Sequence, residues 1–407
     1  MEFVRRSSRG VLSFVPKARK EATGGNNHVT QVLRKWRCTA RHSLQWRVGA
    51  FQRPIAALLG DAKPARAQTI SGKVPEVDRA TVRVVTDNYH FALSPSGKIG
   101  DVEVGRIGFP LSDQPPGKVL LSEFGLSMHL ETQRGNETRN VLIDFGYSSP
   151  TLLNNLDILG IDPAKLDAMV LSHGHYDHFG GMVGFLKATQ GKRKPKLPLY
   201  IGGEECFCSR QFTAGPTPLN FGALDRKAIA DADLVVTTAE GPALIADHAF
   251  ATGHIPRATF ERVLSPTRMK VGIDNGLGCF PDKMAPDRRP IDWAPDEFDH
   301  EISTCVNVKG RGLVVTTSCG HRGVGNSVKQ AMAVSGVGKV HAVVGGFHLA
   351  PHKEDYVRQT IKELVDLDVD YIVPMHCTGE PFYEILKAEL PKKVIRSYTG
   401  TKLVFSA

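Results

Sequence analysis

The chain has 407 residues, 41% of them hydrophobic and 23% charged, the balance of a globular protein with a sizeable core. No uninterrupted apolar run approaches the ~18 residues of a membrane-spanning helix, so no membrane span is expected. The net charge of +9 is concentrated: residues 1–66 hold 14 Lys or Arg against 3 Asp or Glu, and the rest holds 37 against 39, so the body lacks the basic face that nucleic-acid binding needs.

In chain order, residues 1–70 read as a basic leader or disordered extension, rich in Arg and Ser and without a sustained apolar period. An Arg-rich organelle presequence fits, as does a twin-arginine leader with Arg5-Arg6 and the small-residue site Ala65-Arg66-Ala67, as does translation from an upstream start codon. The expected location is cytoplasmic, or exported if residues 1–67 act as a leader.

From residue 80 to 407 strands, loops and helices alternate as in one α/β domain. Residues 81–85 form a short β-branched strand, 91–119 an irregular Gly/Pro/Ser-rich connection, and 141–143 a buried strand ending at Asp144. Leu152, Leu153, Leu156 and Leu159 mark a helix over 149–159, ended by Gly160. Residues 168–171 are the next strand, followed by a helix over 181–188 and a strand over 197–201. The stretch 264–297 has few apolar positions and reads as a loop or lid. Three apolar strands then end in polar tips: 312–316 before Ser318-Cys319-Gly320-His321, 340–344 before Gly345-Gly346-Phe347-His348, and 371–373 before Pro374-Met375-His376-Cys377.

Seven cysteines are an odd number, and no paired framework is expected. Cys206 and Cys208 are too close to bridge each other, which favours a reduced compartment. Cys319 and Cys377 matter more, because each lies within two residues of a histidine, His321 and His376.

The most telling stretch is residues 170–181, VLSHGHYDHFGG. Side chains alternate along an extended segment, so His173 and His175 project the same way and can share one cation. Asp177 and His178 come next, where Gly180 and Gly181 let the chain turn towards a second cation. Imidazole and carboxylate together suit zinc, iron(II) or manganese; the competing reading is a solvated loop rich in histidine. In layered α/β architectures strand tips converge at one sheet edge, so the three later tips are expected to meet this cluster. His129, His300 and His341, among other histidines, receive no role.

His-x-His-x-Asp-His after a buried strand, with an upstream strand ending in Asp144, resembles the metallo-β-lactamase fold. The resemblance runs from about residue 80 to the C-terminus. Gly125-Leu126-Ser127, LSHGHYDHFGG, Thr252-Gly253 with Ile255-Pro256-Arg257, SCGHRGVGN, GGFHL and MHCTG occur in the order found in one clade. That clade is named for dihydropterin-ribofuranosylaminobenzene-phosphate synthase. The resemblance implies an αββα sandwich with its metal site at one edge. It implies that His173 and His175 bind one metal with a third histidine, that Asp177 and His178 bind a second with His376, and that Asp144 orients the loop. Where the commoner hydrolases carry a bridging Asp, this chain offers Ser318, Cys319 and His321. His321 is taken as the ligand and, with Asp177, as catalytic; Cys319 is the alternative soft ligand. His254 is either a metal ligand or a substrate contact, and Arg257, Arg322 and His348 are expected to bind substrate, the arginines through a phosphate.

The expected cofactor is one or two zinc ions, with iron(II) or manganese as alternatives, and the expected partner is a small-molecule substrate. The expected activity is metal-dependent hydrolysis of a phosphorylated or ester-like compound. The alternative is transfer of a dihydropterin-methyl group from its diphosphate. A third reading is a redox or sensing module with Cys319 and Cys377 beside the metal.

Overall fold

The computed structural model describes residues 65–70, 72–108, 117–289 and 291–407. Among these residues two large sheets form. The first has ten strands, with Pro198–Ile201, Ala168–Leu171, Glu137–Ile143, Ser127–Arg134 and Arg79–Thr86 side by side near its middle. The second has seven, including Thr304–Val308, Gly312–Thr317, Val340–Gly345 and Tyr371–Pro374 in that order.

Side-chain alternation explains why the sheets stack with helices outside them. On the first sheet Val141, Ile143, Ala168 and Val170 point inward, and on the second Val314, Ala342, Val344 and Val373 meet them in one shared core. Their neighbours face the other way. Leu142, Met169 and Leu171 pack against Leu152 and Leu156 of helix Ser149–Ile158 and Phe185 of helix Met182–Ala188. Leu313, Val315 and Val343 pack against Val328 of helix Val324–Ser335, Ile361 of Glu354–Asp366 and Phe382 of Glu380–Glu389. The result is the expected αββα sandwich.

Several boundaries differ from expectation. Residues 91–119 include strands Gly97–Ile99 and Val102–Gly105. The 264–297 stretch supplies strands Thr267–Lys270 and Trp293–Pro295, which join Ser209–Phe212 and Leu219–Asn220 in a four-stranded sheet. Strands this short leave no readable alternation. Residues 65–70, expected to belong to the leading segment, also pair into sheets: Ala65 opposite Thr237, Thr69 opposite Ala243; the leader reading of 1–64 lies outside the described residues. The cysteine reading is corrected as well. Cys208 and Cys279 form a disulfide across 71 positions, while Cys206, Cys305, Cys319 and Cys377 are free and buried.

Candidate metal centre

Ala168–Leu171 runs parallel to Glu137–Ile143, so both strands end at the same edge, and the loops beyond them share one space. Asp144 leaves its strand at φ 58°, a left-handed conformation that Asp tolerates better than most side chains. Its carboxylate accepts bonds from the Ser172 amide and hydroxyl and from His178 Nδ1, each at 2.8 Å. With Nδ1 committed, His178 keeps its Nε2 lone pair for another partner. Ser172 Oγ also lies 2.9 Å from His173 Nδ1, so the same hydroxyl steadies the first ring. The chain then enters the short helix Tyr176–Phe179, which puts Asp177 and His178 on one turn.

The second sheet supplies the rest. Beyond Gly312–Thr317, buried Glu301 accepts the amides of His321 and Arg322 at 2.9 and 2.7 Å, and Phe298 stacks on the His321 ring at 3.7 Å and 11°. Beyond Tyr371–Pro374, Asp87 accepts the His376 amide at 3.0 Å and Asn88 donates to the His376 carbonyl at 3.0 Å.

Two trios of donors result. His173, His175 and His321 have ligand atoms within 4.8 Å of one another, and so do Asp177, His178 and His376. His173 Nε2, Asp177 Oδ1, His178 Nε2, both ring nitrogens of His321 and His376 Nε2 are buried without a hydrogen-bond partner. Buried polar atoms normally find partners; so many bare lone pairs aimed at one spot fit a pair of divalent cations. Electrostatics agree. Burial and neighbouring imidazoles hold His173 and His321 well below the ordinary histidine range, and burial takes His175 down to about 3. These rings are therefore neutral, as cation ligands must be. Burial pushes Asp177 up, yet His178 and His376 hold its carboxyl well below the usual range. Burial lowers His376, but Cys377, Asp177 and Asp87 outweigh it and raise the ring to about 9. Without a cation the second trio thus keeps a proton on His376 beside the Asp177 carboxylate, 3.2 Å away, and a cation ligated there would displace that proton.

Cys319 also sits among these atoms, grouped with His173 and His178 and again with His376 and Cys377. Burial and Cys377 push its thiol up; at Cys377 burial acts the same way but loses to Cys319, His376 and His348, which bring that thiol well down.

The remaining expected residues separate. His348 joins the centre, its ring 4.1 Å from that of His321 and its Nδ1 3.7 Å from Cys319 Sγ. His254 is not in the cluster: it is exposed, lies 3.2 Å from the Asp299 carbonyl, and lines a separate cavity of about 360 Å³ with Glu204 and Glu240. Arg257 pairs with Glu297. Arg322 is buried, with its guanidinium bonded to the carbonyls of Ile255 and Glu297 and the Asp299 carboxylate; it holds the protein's own oxygens rather than facing the trios. Some partners had no local signal. Thr267 lies 3.2 Å from His175 Nε2, Asp296 lies 3.8 Å from the same atom and is held by buried Arg210 at 2.6 Å. His300, given no role from sequence, accepts the Gly174 amide at 3.1 Å. All reach the site through tertiary folding.

Comparison with known proteins agrees with this geometry. The family model described as the metallo-β-lactamase superfamily matches residues 131–195, the span from the strand before Asp144 through the histidine cluster. A Methanocaldococcus jannaschii protein named 7,8-dihydropterin-6-methyl-4-(β-D-ribofuranosyl)-aminobenzene-5'-phosphate synthase is 27% identical over 317 residues, 76% of this chain and 98% of that protein. An uncharacterised protein of the same organism is 25% identical over 270 residues, 66% of this chain and 89% of its own length. A crystal structure described as a metal-dependent hydrolase of the β-lactamase superfamily is 24% identical, with a TM-score of 0.58 over 81% of this chain and 100% of that one; it shares the fold. Sandwich, donor motif and family match agree: the chain is an enzyme of the metallo-β-lactamase fold, and residues 131–195 carry that superfamily's match.

Proposed function

We propose that the protein is a metal-dependent hydrolase of a phosphorylated or ester-like small molecule. The observation that carries this is the convergence of both donor trios beside an open cavity of about 520 Å³, lined in part by His376, His348, Phe124, Tyr89 and Asn88. His173, His175 and His321 would hold one cation and Asp177, His178 and His376 the other; zinc fits this donor set best, with iron(II) and manganese as alternatives. Bound there, the pair would supply hydroxide near neutral pH and offset charge on the attacked oxygen. Asp144, Ser172 and Glu301 keep the rings aimed, and His348 stands where it can reach a bound substrate. Replacing His175 and Asp177 by Ala and measuring bound metal by elemental analysis tests the assignment: full retention sinks it. A panel of phosphomonoesters, diphosphates and lactones on the metal-loaded protein then reads out the reaction.

A second reading is favoured by the curated relative, whose name is that of a synthase. In it the cations would bind a diphosphate leaving group, and Cys319 in place of a bridging carboxylate is compatible with that role. Incubation with the dihydropterin-methyl diphosphate, with and without an aryl ribofuranoside phosphate, separates the two. Product that requires the acceptor supports transfer; phosphate released without it supports hydrolysis.

A further inference from the structure

Two thiols unused by the proposed chemistry meet beside the donor trios. Cys319 lies just past Gly312–Thr317 and Cys377 just past Tyr371–Pro374, so the fold joins two strand tips that are far apart in sequence. Their Sγ atoms are 3.0 Å apart, against about 2.05 Å in a disulfide. The loop between those tips makes the space. A Cβ on Gly346 would lie 2.9 Å from Cys377 Sγ and 2.4 Å from the Ser318 carbonyl oxygen, so any larger residue would push the pair apart. Both side chains are buried, but Cys377 lines the 520 Å³ cavity, which gives a small oxidant a route in. Cys319 Sγ is also within 4.8 Å of ligand atoms of His173 and His178, within reach of anything those rings bind.

We propose that Cys319 and Cys377 form a reversible disulfide at this centre, and that cation binding and the disulfide exclude one another. With hydrogen peroxide as oxidant, the Cys377 sulfur attacks one peroxide oxygen, the O–O bond breaks, and a sulfenic acid and one water form. The Cys319 sulfur then displaces the second water as the S–S bond closes. Both thiol protons end in water, and the two electrons lost by sulfur reduce the peroxide. A cation held by the neighbouring rings takes up the sulfur electron pair that the oxidant must meet, and the closed disulfide in turn offers no thiolate to a cation. The exclusion, though not the disulfide, rests on the metal centre proposed above.

The full-length protein, stripped with chelator, is treated with hydrogen peroxide with and without added zinc, alkylated and mapped by peptide mass spectrometry. The expected product is a Cys319–Cys377 cross-link that dithiothreitol reverses. With free zinc at about ten times its dissociation constant, mutual exclusion slows cross-linking about tenfold. Alkylated Cys319 and Cys377 after peroxide treatment overturn the disulfide, and equal cross-linking with zinc overturns the exclusion. Zinc not retained by the untreated protein overturns the metal centre and the exclusion together, while the peptide map judges the disulfide by itself. Cys319→Ser and Cys377→Ser should each abolish the cross-link, and the unsubstituted protein decides the matter should either variant fail to fold.

Discussion

Asp144 shows how one side chain can set the chemistry of a ring it only touches. Its Oδ2 receives His178 Nδ1, which leaves Nε2 unprotonated and free. In Asp144→Asn an amide hydrogen can replace that acceptor, and His178 then carries its proton on Nε2. The expected result is a cation affinity lowered about ten- to a hundredfold, read by competition with a chromophoric chelator. Unchanged affinity would show that the tautomer is set elsewhere. His129 makes a different kind of prediction. Burial, with Arg83 beside it, pushes the ring down from 6.5 to about 4. The unfolded chain therefore binds a proton that the folded chain refuses between those values. Stability from this group is complete above pH 6.5 and is lost as pH falls through 4, on the order of 3 kcal/mol in all. Urea midpoints at pH 7 and pH 4.5 should differ less in His129→Leu than in the parent; an unchanged difference would sink the assignment.

Among elements, the excursion 264–297 bears most directly on the site, because Thr267 and Asp296 both face His175. Cys208–Cys279 ties this excursion to the turn before strand Ser209–Phe212. Closing a loop of this length is worth about 4 kcal/mol in the chain-entropy model. Cys279→Ser should accordingly lower the melting temperature and weaken cation binding at His175; a variant that melts with the parent would show the excursion to be held by packing alone. The pairing had no signal in the sequence, for a physical reason. Residues 173–178 were legible because four metal-capable donors lie within six positions of sequence, and the tips at His321, His348 and His376 because apolar strands announce where they end. Cys208 and Cys279 meet only after two short strands have paired. The bonds of Arg322 were illegible for a related reason: nothing local tells an arginine that will hold a substrate from one bonded to Asp299 and two carbonyls.

For the whole molecule, the two donor trios do more than gather lone pairs at an edge. His173 and His175 belong to the first sheet and His321 to the second; Asp177 and His178 belong to the first and His376 to the second. Each cation would therefore fasten one sheet to the other at the end of the sandwich where the shared core stops. Without a cation, buried donor atoms of both trios face one another without hydrogen-bond partners, which costs stability rather than adding it. Ligand binding to the folded chain alone stabilises it by about 4 kcal/mol at a thousand times the dissociation constant. Over a domain of this size that is a shift on the order of 5 °C. Thermal unfolding in excess zinc should exceed that in chelator by such an amount, and the gap should shrink in His321→Ala and His376→Ala, which each cut one fastening on the second sheet. An equal gap in the parent and in both variants would mean that the cation binds outside the trios.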